Sequence, residues 1–362
     1  MFSFLVSRYK DYMPLWSDSP GHPRRNLNKR PCTPTTAFVI LSVLFNLFFA
    51  WQFFWPWPSA LDNYQPLNQH PIVDEKVVEP LTFENSNEYA VVTGLYTDAF
   101  ATAVATLGHT LNAANSTAAR ILLYLPERVS PRALCVATAS GFRPHAVARI
   151  PPPHAGVHRH FLDQYSKLRL WTLDTIGVRA LVYLDADTLV RRNFDELFSL
   201  PYAFAAVPDV FLDSRAFASS FNAGVLFLRP DSAVFEDMLP KIATAAYPAE
   251  DAEQSFLNHY FGMQALRLPY AYNANLAIKK RQPEMWRDLM AAEVRIVHYT
   301  LVKPFLTGDY AEVELEKLDK NVESKKRARG GAFVEEVEEW GRAWRQTRRL
   351  YGDVFDQCRS AT

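Results

Sequence analysis

The run Ala180-Leu-Val-Tyr-Leu184, followed at once by Asp185-Ala-Asp187, constrains the fold more than any other stretch. Five apolar residues with no polar alternation predict a strand buried on both faces, and in an α/β protein that means an interior parallel strand. With period-two alternation Asp185 and Asp187 share one side, so both carboxylates reach one point beyond the strand's carboxyl end. Open α/β sheets bind their ligands there, and two hard oxygen donors suit Mn²⁺ or Mg²⁺ holding a diphosphate. With 20 Asp in 362 residues an Asp-x-Asp is expected about once by chance, so the tripeptide counts through its place after a buried strand.

Alternation of strand and helix recurs on either side. Strands are predicted at Tyr89–Thr93, Arg120–Leu125, His145–Ile150, Ala203–Val207, within Phe221–Pro230, and at Arg295–Thr300. Helical sequence lies at Asp98–Leu111, with small residues suited to close packing, and at Arg132–Ala139, Ala233–Ala246 and Glu253–Phe261. This predicts an α/β fold with a parallel sheet covered on both faces. Residues 161–175 read as a helix with Leu168, Trp171 and Thr175 on one face, Leu170 and Asp174 on an adjacent stripe, and Lys167 projecting before the acidic strand. Gly224 allows a close approach of backbone and ligand.

The termini have another character. Lys plus Arg equals Asp plus Glu at 39 each, which removes any global electrostatic case for nucleic acid. No charge occurs between Arg30 and Asp62, and within that gap Ala37–Trp55 is long and apolar enough to cross a bilayer, with Trp51, Trp55 and Trp57 at its far end. Six basic residues precede it, which predicts a type II anchor over 37–55 with a cytosolic tail over 1–36 and a luminal body; a cleaved signal is the alternative. Five prolines and six acids in 56–88 predict an extended stem. Asn115-Ser-Thr is a sequon, and Cys135 and Cys358 lie on the luminal side, with their pairing left open. Beyond 310 the chain reads as a charged helical extension, with Phe333, Val337, Trp340 and Trp344 at 4-3-4 spacing.

Six blocks in order, VVTGLYTDAF, YSKLRLW, LVYLDADTLVRRNFDELF, FNAGVLFLRP, AEQSFLNHYF and IVHYTLVKPF, resemble the retaining glycosyltransferases of family 8, the group of glycogenin and galactinol synthase. The similarity covers about residues 89–305. It implies a GT-A fold, a Rossmann-like catalytic domain over 89–310, and a UDP-sugar donor. By the family pattern Asp185, Asp187 and His298 ligate Mn²⁺, and Thr93, Leu95 and Tyr96 lie against uridine. Lys167 helps hold the donor; Asn222, Ala223 and Gly224 face the sugar. Glu253 and Gln254 lie beneath the anomeric centre, with Glu253 where the family has Asp, and Lys303 contacts the diphosphate. The segment from His298 to Lys303 lacks the glycine of glycogenin-like relatives. Two mechanisms stay open, double displacement through Glu253 and front-face return assisted by Gln254. The function expected is transfer of a hexose-type sugar to a glycan or glycoprotein in the Golgi or another secretory compartment; the alternatives are a catalytically silent tethered scaffold and a glycogenin-like self-glucosylating primer.

Overall fold

The computed structural model describes residues 33–54, 81–292 and 294–360. The basic tail, Cys32, Trp55, Trp57 and most of the stem lie outside them. Two compact units are present, residues 1–64 and 65–362. In the first, α1 (Pro34–Phe54) is a 21-residue helix without an acidic or basic side chain. At 1.5 Å per residue it is about 31 Å long, matching the hydrocarbon thickness of a bilayer. Its apolar side chains are exposed.

The second unit is built on a seven-stranded sheet of order β3-β2-β1-β4-β7-β6-β8. Its strands are β1 (Tyr89–Leu95), β2 (Ala119–Tyr124), β3 (Arg143–Ala146), β4 (Ala180–Leu184), β6 (Phe204–Val210), β7 (Phe217–Leu228) and β8 (Leu266–Arg267). The first four in sequence are mutually parallel, with β4 at the centre and buried throughout. The parallel sheet expected is present in these four strands, and β7 runs antiparallel to both β4 and β6. Six residues join β6 to β7, far fewer than the dozen a parallel crossover requires. The strand expected over 145–150 also ends early, at Ala146. Ile150 N–H goes to Ser166 Oγ instead of a neighbouring strand, and three prolines follow.

A smaller sheet, β5 (Thr188–Val190), β10 (Ile296–His298) and β9 (Ala274–Asn275), stands at the carboxyl edge of β4. Antiparallel pairing of β5 with β10 sets His298 opposite Thr188, so a residue far along the chain meets the acidic pair.

Alternation on the strands divides the core. Val91, Leu95, Ala180, Val182 and Leu184 point into one half and Ala90, Val92, Leu181 and Tyr183 into the other. The first half is covered by α2 (Ala101–Ala113), α3 (Pro131–Thr138) and the long carboxyl-terminal helix α9 (Val334–Cys358). Small residues let α2 pack closely: a Cβ on Gly108 would stand 2.1 Å from Ser140 Oγ. The seam Phe333, Val337, Trp340 and Trp344 is almost wholly buried on this face, and Cys135 in α3 is disulfide-bonded to Cys358 in α9.

The second half is covered by α4 (Ser232–Thr244), α5 (Ala252–Phe261) and Gln164–Ile176. That last segment is a 3₁₀ helix, not the α-helix expected. A three-residue repeat puts Tyr165, Leu168 and Trp171 in the core together with Leu170 and Leu173, and leaves Thr175 exposed. Lys167 consequently points inward.

Candidate active site

Three backbone contacts fix the end of β4. Asp185 N donates to Gly224 O at 2.8 Å, Thr188 N to Asp185 O at 3.0 Å, and Tyr299 N to Asp187 O at 2.9 Å. The turn therefore sits between β7 and β10. Ligand atoms of Asp185, Asp187 and His298 lie within 4.8 Å of one another, a set able to hold a divalent ion. Asp187 and His298 are buried, with Asp187 Oδ1 3.3 Å from His298 Nε2, while Asp185 is partly open.

Two cations complete the charge balance. Lys167, 2 % exposed, lies 3.2 Å from Asp185 Oδ1 and 2.7 Å from Glu253 Oε1, and donates to Ala223 O at 3.2 Å. Burial alone would lower its pKa, but Asp185 and Glu253 outweigh it and hold the ammonium up at about 12. Burial pushes Glu253 up, with Lys167 opposing. Lys303 pairs with Asp187 Oδ2 and donates to Tyr299 O at 3.3 Å. Burial would raise Asp187 as well, but Lys303 and then His298 hold it well below the usual carboxylate range.

A buried relay of amides orients His298. Asp209, 4 % exposed, only accepts: Val210 N at 2.7 Å, Asn222 Nδ2 at 3.3 Å, Asn275 Nδ2 at 3.3 Å and Gln254 Nε2 at 2.9 Å. With its NH₂ toward Asp209, Asn222 offers Oδ1 to Asn273 Nδ2 at 3.0 Å, and Asn273 offers its own Oδ1 to His298 Nδ1 at 3.1 Å. The proton therefore belongs on Nδ1, and the Nε2 lone pair faces the carboxylates, as a metal ligand requires. Gln254 is fixed from the same centre, its Oε1 accepting Ala223 N at 2.9 Å.

The cleft consists of two adjoining cavities of about 220 Å³ each. Asn222, Ala223, Glu253, Gln254 and Lys167 line one; Gly94, Tyr96, Thr97 and Phe100 line the other. Asp185, Asp187 and Lys303 line both, and so do His160 and Tyr310, whose rings stack at 4.2 Å.

Most of the residues singled out in the sequence are brought to this cleft. Thr93 and Leu95 are not: both are fully buried, Leu95 in the core, and Gly94 and Thr97 line the cleft beside Tyr96. Gly224 differs too. A Cβ there would stand 2.2 Å from His298 Cε1, so the glycine makes room for the histidine and not directly for a ligand. Asp209, Asn273 and Tyr183, whose hydroxyl donates to Asp185 Oδ1 at 2.7 Å, escaped the sequence reading. The signal for Asp209 is its place as an acid at the end of a buried strand, the same signal that marks Asp185.

Residues 158–307 match the family model described as glycosyl transferase family 8. Galactinol synthase 1 of Arabidopsis thaliana is 30% identical over 191 residues, 44% of this chain and 54% of that one. Inositol phosphorylceramide glucuronosyltransferase 1 of the same plant is 29% identical over 177 residues, 49% and 30%. Glycogenin of Neurospora crassa is 30% identical over 145 residues, 40% and 20%. The chain thus spans about half the length of these relatives or less. A solved structure of the galactosyltransferase LgtC shows 20% identity and a TM-score of 0.46 over 65% of this chain and 95% of that one, too low to add to what the strand order establishes. The matched segment, residues 158–307, carries the acidic pair, His298 and Lys303, and is that of a family 8 glycosyl transferase.

Proposed function

We propose that the chain is a membrane-anchored retaining glycosyltransferase that moves a hexose-type sugar from a UDP donor to a glycan or glycoprotein, with its body on the luminal side of a Golgi or other secretory-pathway membrane. One observation carries the reading: the Asp185, Asp187 and His298 cluster and Lys303 stand at the junction of two cavities. A diphosphate at that junction leaves one cavity for the nucleoside, beside Tyr96, and the other for the sugar, beside Asn222, Ala223, Glu253 and Gln254. Asp185, Asp187 and His298 would hold Mn²⁺ or Mg²⁺, which supplies positive charge to the leaving diphosphate. Lys303 adds an ammonium on the same side, where negative charge builds up as the sugar departs. The relay through Asn222 and Asn273 keeps the His298 lone pair aimed without reorganisation.

The carboxylate geometry favours front-face departure over double displacement. Glu253 is 4 % exposed and ion-paired to Lys167, so nucleophilic attack has to break that pair in a site with little water to replace it. Gln254, tied to Ala223 and Asp209, holds the floor of the sugar cavity and orients the bound donor. The test is a panel of UDP-sugars offered to the full chain in detergent with Mn²⁺, scoring UDP release. Turnover of one or a few donors is expected. A chain that turns over none, and binds none more tightly than UDP, is a silent scaffold.

A further inference from the structure

A third cavity, of about 180 Å³, opens beside the cleft and shares Lys303 and Tyr310 with both of its halves. Its lining also includes Thr307, Lys325 and Arg329, and no acidic side chain. Asp185 and Asp187 do not line it, and Lys303, paired with Asp187, is the wall it shares with the place proposed for the donor diphosphate.

Two of its cations are held at a cost. Among the described residues neither Lys325 nor Arg329 forms an ion pair, whereas the adjacent Lys326 is held by both Glu323 and Glu338. Lys325 is half-buried, with its ammonium donating to Thr307 O at 3.0 Å; burial lowers its pKa, and Asp309 opposes this from outside the lining. Arg329 has φ of 50°, followed by Gly330 at 70° and Gly331 at 77°. Left-handed backbone is easy for the glycines and unfavourable for the arginine. That turn leaves Arg329 Nε donating to Leu301 O at 3.0 Å, with the guanidinium at the rim of the cavity. A half-buried ammonium short of counter-charge weighs against the free protein, and an anion in the cavity that Lys325 and Arg329 both line offsets that cost.

We propose that Lys325 and Arg329 form an oxyanion subsite that receives a phosphate or carboxylate group carried by the acceptor. The proposal rests on the glycosyltransferase reading for the word acceptor, and not for the anion site itself. Anchoring of the acceptor's charge here places its neutral hydroxyls toward the sugar cavity that Tyr310 and Lys303 also border. The subsite selects anionic acceptors over neutral ones of the same ring.

The anion site is tested by phosphorus NMR of inorganic phosphate added to the full chain in detergent, with UDP and Mg²⁺ present so that the diphosphate position is filled. Line broadening by the wild-type chain is expected, falling about tenfold in Lys325→Gln/Arg329→Gly. The second substitution relieves the positive φ, so the thermal midpoint should hold or rise while phosphate binding is lost. No broadening once UDP is bound, broadening unchanged in the double variant, or an equal loss of UDP affinity in that variant overturns the proposal. The acceptor role is read from UDP release with glucose, glucose 6-phosphate and glucuronate. A lower KM for one anionic member identifies the source of the charge, and the preference should vanish in the double variant with donor hydrolysis unchanged. Equal KM for all three overturns the acceptor role. Failure of every UDP-sugar would sink the enzyme reading and leave the phosphate result standing.

Discussion

Replacing Asp209 by Asn keeps its shape and removes one acceptor from a centre that feeds two chains of amides. Its four hydrogen bonds come from Val210, Asn222, Asn275 and Gln254. If the remaining oxygen stays with the first three, the new NH₂ faces the NH₂ of Gln254. Turning Gln254 over presents its NH₂ to Ala223 N–H, so the conflict moves and does not disappear. If the new amide turns the other way, Asn222 and Asn273 must flip in sequence, and His298 Nδ1 then faces a donor. Either way at least one buried donor goes unpaired, at about 1–3 kcal/mol. Loss of the carboxylate returns part of this, since burial already pushes the pKa of Asp209 up. We expect a net loss of about 1–2 kcal/mol by urea denaturation and a Mn²⁺-dependent UDP affinity about 10–100-fold weaker, as for other groups that orient a metal-binding His. Nitrogen NMR of the wild-type chain should show His298 Nδ1 protonated. An Nδ1 without a proton, or wild-type UDP affinity in Asp209→Asn, would refute the relay.

Three further predictions follow the same geometry. Gly224→Ala forces a methyl against His298 and should abolish Mn²⁺-dependent UDP binding while costing only about 1–3 kcal/mol of stability, so a variant that binds UDP normally counts against the packing argument. Trp340, buried on α9 with its ring 5.6 Å from that of Phe305, supports the loop that carries Lys303; Trp340→Ala should cost about 3–5 kcal/mol and raise the KM for the donor, and a change in stability alone would remove the helix from the account. Burial raises both Asp209 and Glu253, so the folded chain binds their protons at a higher pH than the unfolded chain does. Stability from these groups is therefore present at low pH and falls as pH rises from the unfolded carboxylate value through the folded one, while the acid limb of donor hydrolysis lies above the range of an ordinary carboxylate. A pH profile flat down to that range contradicts the prediction.

The parts of the fold legible in the sequence are those that local spacing determines. The apolar run of β4 is buried on both faces, so it shows without a partner, and period two alone aligns Asp185 with Asp187. The 4-3-4 spacing of Phe333, Val337, Trp340 and Trp344 predicts the seam of α9 because an α-helix repeats every 3.6 residues. The same rule misplaces Thr175, since Gln164–Ile176 coils with three residues per turn. Pairings between distant segments leave no local trace. The antiparallel β7, the Cys135–Cys358 bond and the relay from Asp209 through Asn222 and Asn273 all join residues that only the packed chain brings together. Glycine shows this most clearly: the sequence marks Gly224 as a place of close approach, and only the packing of the small sheet against β7 shows that His298 takes the room.

In the proposed mechanism Asp185, Asp187 and His298 hold a divalent ion that binds the donor's diphosphate. Calorimetric titration of UDP into the full chain, with Mn²⁺ and then with a chelator, for wild type and Asp187→Asn, tests it most directly. UDP binding is expected to depend on Mn²⁺ in the wild type and to weaken about 10–100-fold in the variant. Equal UDP affinity with and without Mn²⁺, or in both proteins, would contradict it.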